Sequence, residues 1–293
     1  MLELAWDTII TSAVGDRTQK PRSVGVTMII DLGVGLATLK DILDLAGRYV
    51  DHWKLSFGTT VFLTKDALQN KLALLAEHDV LTFPGGTLLE VALLERHCRD
   101  YMRHAKHLGF SGVEISDGII PMPTFRRRNI INCALDVGLI PITEVGKKNP
   151  RQQPSAQQIA EQALEDLERG AQWVVIEGRE SGRAVGIYDD FGNVIESAVA
   201  EISHLMGAAV EKLVWEAPLK EQQAYLIRCF GANVGLGNIH PDQVLAVESL
   251  RCRLRFETLH RTADELVRSG AWDPHEVEPE NASALVTSHA ERN

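Results

Sequence analysis

Short apolar runs recur along the chain, and most of them stop on a charged residue or a glycine turn. VGVTMII (24–30) stops on Asp31, HWKLSFG (52–58) and VLTFPGG (80–86) run into glycine, and GVEIS (112–116) leads to Asp117. LIPITEVGKK (139–148) ends in Glu144, Gly146, Lys147 and Lys148. WVVIEGRES (173–181) ends in Glu177, Arg179 and Glu180, KLVWEA (212–217) carries Glu216, and NVGLGNI (233–239) carries Gly237 and Asn238. Each run reads as a strand, and the segments between them carry apolar residues at helical spacing. Thr38 is placed to cap a helix bearing Leu39, Ile42, Leu43 and Ala46, and Leu68, Leu72 and Leu75 mark the next. Thr87 and Glu90 have the spacing of a capping box opening a long helix to about His107, and Ser155 with Gln158 has it again. Pro123-Thr124 and Pro218 open further helices, and Val244, Leu245 and Leu250 lie on the last strong one. Gly182 to Ile195, with Asp189-Asp190-Phe191-Gly192-Asn193, reads as a hairpin-like excursion and a candidate lid.

Eight strand signals alternating with helices predict an α/β fold, a (β/α)8 TIM barrel, whose reactive groups gather at the C-terminal ends of the strands. The expected organisation is an N-terminal extension over 1–19, one barrel domain over 20–260 and a polar tail over 261–293. An open doubly wound sheet is disfavoured because DLGVGLA (31–37) lacks the GxGxxG fingerprint. Alternation also fixes direction. If Trp53, Leu55, Val113, Ile115, Val174 and Ile176 face the helices, then Lys54, Glu114, Ser116, Glu144, Glu177 and Glu216 share one inward register.

Composition narrows the chemistry. With 30 basic and 40 acidic residues the formal charge is −10, which gives no long-range attraction to nucleic acid or an anionic membrane, so any anion must be caught locally. The four cysteines are scattered without metal-ligand spacing, and a cytoplasmic location is expected. One charged residue in the register could be a buried ion pair, but five of them together with Ser116 point to a site. Clustered carboxylates without sulfur ligands favour a hard cation such as Mg²⁺. Lys54, Lys147, Lys148 and Arg179 are the anion-binding candidates. Adjacent cations lower a lysine pKa, which makes Lys147 or Lys148 the candidate proton donor. Gly85-Gly86 and Gly235, Gly237 and Asn238 are turns where backbone amides can meet phosphate. The Arg126-Arg127-Arg128 run reads as a solvated face, and His52, His78 and His204 as structural or surface residues.

KPRSVGVTMIID, KLSFGTT, FPGGTLLEVA, GFSGVEISDG, EVGKK, WVVIEGRESG, WEAP and VGLGNI, in this order, resemble the phosphosulfolactate synthase family, which includes plant heat-stress-associated homologues. The resemblance covers roughly residues 20–258. It implies a Mg²⁺-dependent addition of sulfite to C3 of phosphoenolpyruvate, giving (2R)-phospho-3-sulfolactate for coenzyme M or sulfolactate synthesis, by a homo-oligomer such as a trimer. Under this reading Glu114, Glu144 and Glu177 hold the metal, and Glu144, Lys147 and Lys148 are catalytic. Lys54, Arg22, Gly85, Gly86, Ser116, Arg179, Glu216, Gly237 and Asn238 bind substrate. Ser56-Phe57 and the LRFET segment (254–258) depart from the family pattern and keep another nucleophile such as a thiol open, and a non-enzymatic heat-stress-associated protein that kept the barrel is the alternative of a different class.

Overall fold

In the computed structural model, which describes residues 5–6 and 16–275, eight parallel strands alternate with helices around one barrel. The strands are β1 (Thr27–Asp31), β2 (His52–Leu55), β3 (Leu81–Pro84), β4 (Gly112–Ile115), β5 (Ile140–Val145), β6 (Trp173–Ile176), β7 (Leu213–Glu216) and β8 (Gly235–Ile239). Their hydrogen-bonded order runs β3-β2-β1-β8-β7-β6-β5-β4. The seam between β3 and β4 is bridged by Ser111, whose N–H donates to the Thr82 carbonyl at 3.2 Å and whose hydroxyl accepts from the Thr82 N–H at 2.8 Å. This is the (β/α)8 barrel that the pattern predicts. Most of the 1–19 extension and the tail beyond 275 lie outside the described residues.

Two separate apolar clusters follow from strand alternation. Trp53, Leu55, Val113, Ile115, Val174 and Ile176 belong to the core between barrel and helices. Val26, Met28, Phe83, Ile142, Val175 and Val214 fill the lumen as a plug. One step further along the same inward register stand Ile30, Lys54, Glu114, Glu144, Glu177 and Glu216, each at most 6 % exposed. The plug is therefore the dry floor beneath a charged layer.

The helices are α1 (Leu36–Ala46), α2 (Lys65–Glu77), α3 (Gly86–Leu94), α4 (Cys98–Leu108), α5 (Thr124–Val137), α6 (Ala156–Glu168), α7 (Glu196–Met206), α8 (Lys220–Phe230), α9 (Val244–Arg251) and α10 (Phe256–Ser269). The capping box at Ser155 forms as expected, with Ser155 Oγ and Gln158 Oε1 each accepting from the other residue's N–H. Other local expectations fail for tertiary reasons. Helix α1 starts at Leu36 after Gly35, so Thr38 lies inside its first turn. The long helix expected from Thr87 breaks between Leu94 and Cys98, and Glu90 makes no box with Thr87. Its buried carboxylate instead accepts from Ser116 Oγ at 2.7 Å and from the N–H groups of Ile119 and Ile120 at 2.9 and 2.7 Å. Those amides belong to the β4–α5 loop and find a stronger acceptor there than water.

Arg127 also departs from the solvated face expected of its triplet. It sits on the same inner face of α5 as Ile130, Ile131 and Ala134, and it is 1 % exposed. Its guanidinium donates to Asp166 on α6 at 2.6 Å, to Asp117 at 3.1 Å and to the Glu144 carbonyl at 2.9 Å. Helix α10 runs across the boundary expected at 260 and is tied to α8 by Lys220 and Glu257 at 2.5 Å. The 182–195 excursion is packed rather than poised as a lid. Gln222 Nε2 donates to the carbonyls of Gly182 and Gly192, Tyr188 Oη donates to the Glu216 carbonyl, and Ile187 and Tyr188 are buried.

Candidate active site

A cavity of about 290 Å³ opens at the C-terminal ends of the strands, lined by Ile30, Lys54, Ser56, Phe57, Gly85, Gly86, Thr87, Glu114, Ile119, Glu144, Lys148, Glu177, Arg179, Glu180, Glu216 and Asn238. Ten of the residues singled out from sequence meet here: Lys54, Gly85, Gly86, Glu114, Glu144, Lys148, Glu177, Arg179, Glu216 and Asn238. Four do not. Arg22 lies at the other end of the barrel, bonded to Asp51 Oδ1 and the Arg48 carbonyl at 3.1 Å each, because the segment feeding β1 enters from the N-terminal side. Ser116 turns its hydroxyl to Glu90 and packs beneath Gly86, where an added Cβ would stand 2.6 Å from Ser116 Oγ. Lys147 points away to Asp117, whose carbonyl and carboxylate accept from its Nζ at 2.6 and 2.5 Å. Gly237 remains within the sheet, its missing side chain leaving room for Met28.

The charged layer is one connected network. Lys54 Nζ spans the lumen to Glu216 at 2.7 Å, Glu114 at 3.0 Å and Glu144 at 3.4 Å. Lys148 Nζ meets Glu177 at 2.5 Å and Glu144 at 3.1 Å. Lys54 thus has its donors committed to carboxylates at the bottom of the cavity, whereas Lys148 and Arg179 stand nearer the opening, about a third exposed. Two backbone features hold the carboxylates. Arg179 adopts a left-handed φ of 58° and donates its N–H to Glu177 Oε1 at 2.7 Å, and Gly178 donates to Glu216 Oε2 at 2.9 Å. Gly146, at φ 137°, leaves the space that Glu177 occupies, since a Cβ there would lie 2.5 Å from Glu177 Cβ.

This crowding sets the protonation. Burial opposes charge on Lys148, but Glu144 and Glu177 outweigh it and raise its pKa, so the lowering expected from an adjacent lysine is overturned. Burial likewise opposes Lys54, and Glu114, Glu216 and Glu144 raise it well above the usual lysine value. Burial, with Glu144 and Glu216 adding to it, pushes the Glu177 carboxyl well up. Burial also drives Glu114 up to about 7 against the pull of Lys54, while Lys148 and Lys54 overcome burial to bring Glu144 down to about 2.

Five carboxylates line the cavity against three cations, a local surplus of negative charge. Oxygen atoms of Glu144, Glu177 and Glu216 lie within 4.8 Å of one another, all buried, a hard-oxygen donor set that fits a divalent cation. The closest grouping has Glu216 in place of the expected Glu114, and Glu114 instead accepts from the Gly86 N–H at 2.7 Å at the start of α3. Asn238, at φ 54°, donates to the Arg179 carbonyl at 3.1 Å, and its buried Oδ1 has no partner among the described residues. Phe57, a departure from the family pattern, does line the cavity, whereas sequence reasoning missed Ile30, Thr87 and Ile119 on the wall, and Glu90 and Tyr188 behind it. Of these, Ile30 was readable from its alternation with Met28.

Residues 15–257 match the family described as (2R)-phospho-3-sulfolactate synthase (ComA). A phosphosulfolactate synthase of Methanothermobacter thermautotrophicus is 38 % identical over 246 residues, 83 % of this chain and 94 % of that protein. One of Bacillus subtilis is 36 % identical over 244 residues, 83 % and 95 % respectively. The Arabidopsis thaliana protein HEAT-STRESS-ASSOCIATED 32 is 23 % identical over 266 residues, 81 % and 89 %. Among solved structures, the carboxyl transferase domain of Rhizobium etli pyruvate carboxylase shares the fold at a TM-score of 0.52 and 12 % identity, covering 89 % of this chain and 50 % of that one. No helix among the described residues is long and apolar enough to cross a membrane. With the barrel, the inward carboxylate register and a family match spanning 15–257, the chain belongs to the (2R)-phospho-3-sulfolactate synthase family.

Proposed function

We propose that the chain adds sulfite to C3 of phosphoenolpyruvate, giving (2R)-phospho-3-sulfolactate, with Mg²⁺ as its cofactor. The observation that carries this reading is the cluster of Glu144, Glu177 and Glu216 with Lys148 at its edge, in a cavity with more carboxylates than cations. Two anionic substrates need compensation that this cavity alone does not provide. Glu144, Glu177 and Glu216 would hold Mg²⁺, which supplies Lewis-acid stabilisation of the negative charge that develops on the substrate.

The sulfur lone pair of sulfite forms the C3–S bond, and the C2–C3 π pair moves toward C2 and its carboxylate. A proton must then reach C2 from one face. Lys148 is the donor this geometry favours. It borders the cavity and is kept protonated by Glu144 and Glu177, whereas Lys147 is turned to Asp117. After transfer, solvent at the mouth restores the proton. Lys54 organises Glu114, Glu144 and Glu216 from below, which supports a positioning role rather than direct phosphate binding. Arg179 at the rim, with Asn238 beside it, is the group best placed for the phosphate. The exposed Val61 and Phe62 after β2 support the homo-oligomer that the family resemblance implies, a trimer by expectation.

The test combines purified protein with phosphoenolpyruvate, sulfite and Mg²⁺ and follows the product by ³¹P NMR, with no-sulfite and EDTA controls. A new phosphate ester that requires both additions supports the proposal. A product that forms only with thiols would reassign the nucleophile, and silence with every nucleophile would overturn the enzymatic reading.

A further inference from the structure

At the opposite end of the barrel from the carboxylates, the chain builds a second charged recess of reversed sign. It is a cavity of about 290 Å³ between the C-terminal half of α8, the end of α9 and the start of α10. Arg228, Arg251, Arg253 and Arg261 line it, with Thr258 and Thr262 beside them, and Glu265 is the single carboxylate on its wall. A shallower recess shares Arg228 and Arg261, so these two guanidinium groups stand on the ridge between adjoining hollows. In a chain of formal charge −10, four arginines around one cavity need a local cause.

The acids nearby do not neutralise the cluster. Glu248 is gripped by Arg17 through both of its oxygens, at 3.0 and 3.1 Å, and stands 3.4 Å from Arg251 Nε. Glu257 is held by Lys220 at 2.5 Å and gives Arg228 only its backbone carbonyl, at 3.3 Å. Arg253 reaches Asp16 at 3.2 Å on the surface. Arg261 and Glu265 form no ion pair among the described residues, although they are one helical turn apart. At the base of the cavity Arg251 is 2 % exposed. Its Nη1 donates to the carbonyls of Ala232 and Val234 at 2.7 Å each, its Nη2 donates to Thr27 Oγ1 at 3.4 Å, and its Nε faces Glu248, so the guanidinium is turned into the barrel floor beneath the recess. Burial, with Arg17 adding to it, brings this guanidinium down to about 9, the direction expected where positive charge outruns its partners.

From this arrangement we infer that the recess is a second anion site, which takes a phosphate group, free or carried on a small organic ester, between Arg228 and Arg261, with Arg251 adding positive charge from beneath. The planar guanidinium forks match phosphate oxygens two at a time, and the threonine hydroxyls can supply further donors. The site is separate from the catalytic cavity, because Ala232 and Val234 precede β8 at its N-terminal end and the carboxylates stand at the C-terminal ends of the strands.

The test is calorimetric titration of the full chain with inorganic phosphate and, separately, with glycerol 3-phosphate, at ionic strength held constant with chloride. Wild type is compared with R228Q/R261Q, which removes two exposed cations, and with K40Q as a control for net charge. With EDTA present, so that the carboxylate-lined cavity has no cation to draw an anion, the expected result is one anion equivalent per wild-type or K40Q chain, and none in the double variant or at least a tenfold weakening. Equal affinities for the two ligands would assign recognition to the phosphate group alone, and tighter binding of the ester would add the organic part to it. Identical isotherms for wild type and R228Q/R261Q, with thermal unfolding showing both folded, would overturn the inference. So would an equal loss in K40Q.

Discussion

Lys147 and Lys148 are adjacent in sequence and differ in everything that matters for proton transfer. Position 148 points into the cavity between Glu144 and Glu177, and position 147 points out to Asp117. Replacing Lys148 by Ala should lower kcat by roughly 10²–10⁴-fold, the usual contribution of a positioned acid. Lys147→Ala should leave kcat within about tenfold, as steady-state assay of the two variants would show. His52 yields a second prediction. Its ring lies in the lumen edge-on to Trp173 at 4.5 Å, and burial, with Lys20 adding to it, lowers its pKa to about 3 from 6.5. Below pH 6.5 the unfolded chain takes up a proton that the folded chain refuses, so stability falls as pH drops toward 3. From these values the loss between pH 7 and pH 5 is about 2 kcal/mol. Urea denaturation at the two pH values should show this difference shrinking in His52→Leu, and an unchanged difference would remove His52 as its source. The inward register of Lys54, Glu114, Glu144, Glu177 and Glu216 was readable from alternation, because a period of two leaves only two faces. Which three carboxylates converge was not, since that depends on how Lys54 reaches across the lumen to Glu114 and Glu216, contacts that span 60 and 162 residues.

Glu90 shows how an element is fixed by more than its own sequence. Thr87-Leu-Leu-Glu90 has capping-box spacing, yet the carboxylate anchors the β4–α5 loop through Ser116, Ile119 and Ile120. Local pattern proposes a helix start, and two otherwise unsatisfied amides decide where the acid goes. The box at Ser155 was legible because nothing across the fold competes for Gln158. The strands were legible for a similar reason, since burial on both faces demands apolar runs wherever the chain forms a parallel sheet. Glu90→Ala should therefore destabilise the fold by about 1–3 kcal/mol for buried donors left without a partner. Because Ile119 borders the cavity, it should also raise KM more than it lowers kcat. Denaturation and initial-rate measurements on one preparation test both parts, and a kcat loss with unchanged KM would contradict the loop-anchor account.

Across the whole molecule, negative charge is concentrated where the fold can least solvate it. The chain carries −10 overall, and its barrel mouth sets Glu144, Glu177 and Glu216 within 4.8 Å of one another above a plug of Met28, Phe83, Ile142, Val175 and Val214. Such a layer persists because Lys54 and Lys148 cross-link strands from around the barrel, but two ammonium groups do not balance the five acids that line the cavity. A divalent cation that binds these oxygens in the folded chain, and has no such cluster to bind in the unfolded one, must stabilise the fold by mass action. At about 100 times its dissociation constant the gain is about 2.7 kcal/mol. Urea unfolding in the presence of Mg²⁺ should accordingly shift to higher midpoint, and EDTA should reverse the shift. An equal ionic strength of KCl should not reproduce it, which separates binding at the cluster from general screening of the surface charge. Glu177→Gln should flatten the Mg²⁺ response while leaving the KCl response intact, because it removes one ligand charge and little of the total. If KCl and Mg²⁺ move the midpoint alike in wild type and in Glu177→Gln, the carboxylates are held by the two lysines alone, and the metal assignment fails independently of whether the enzyme turns over.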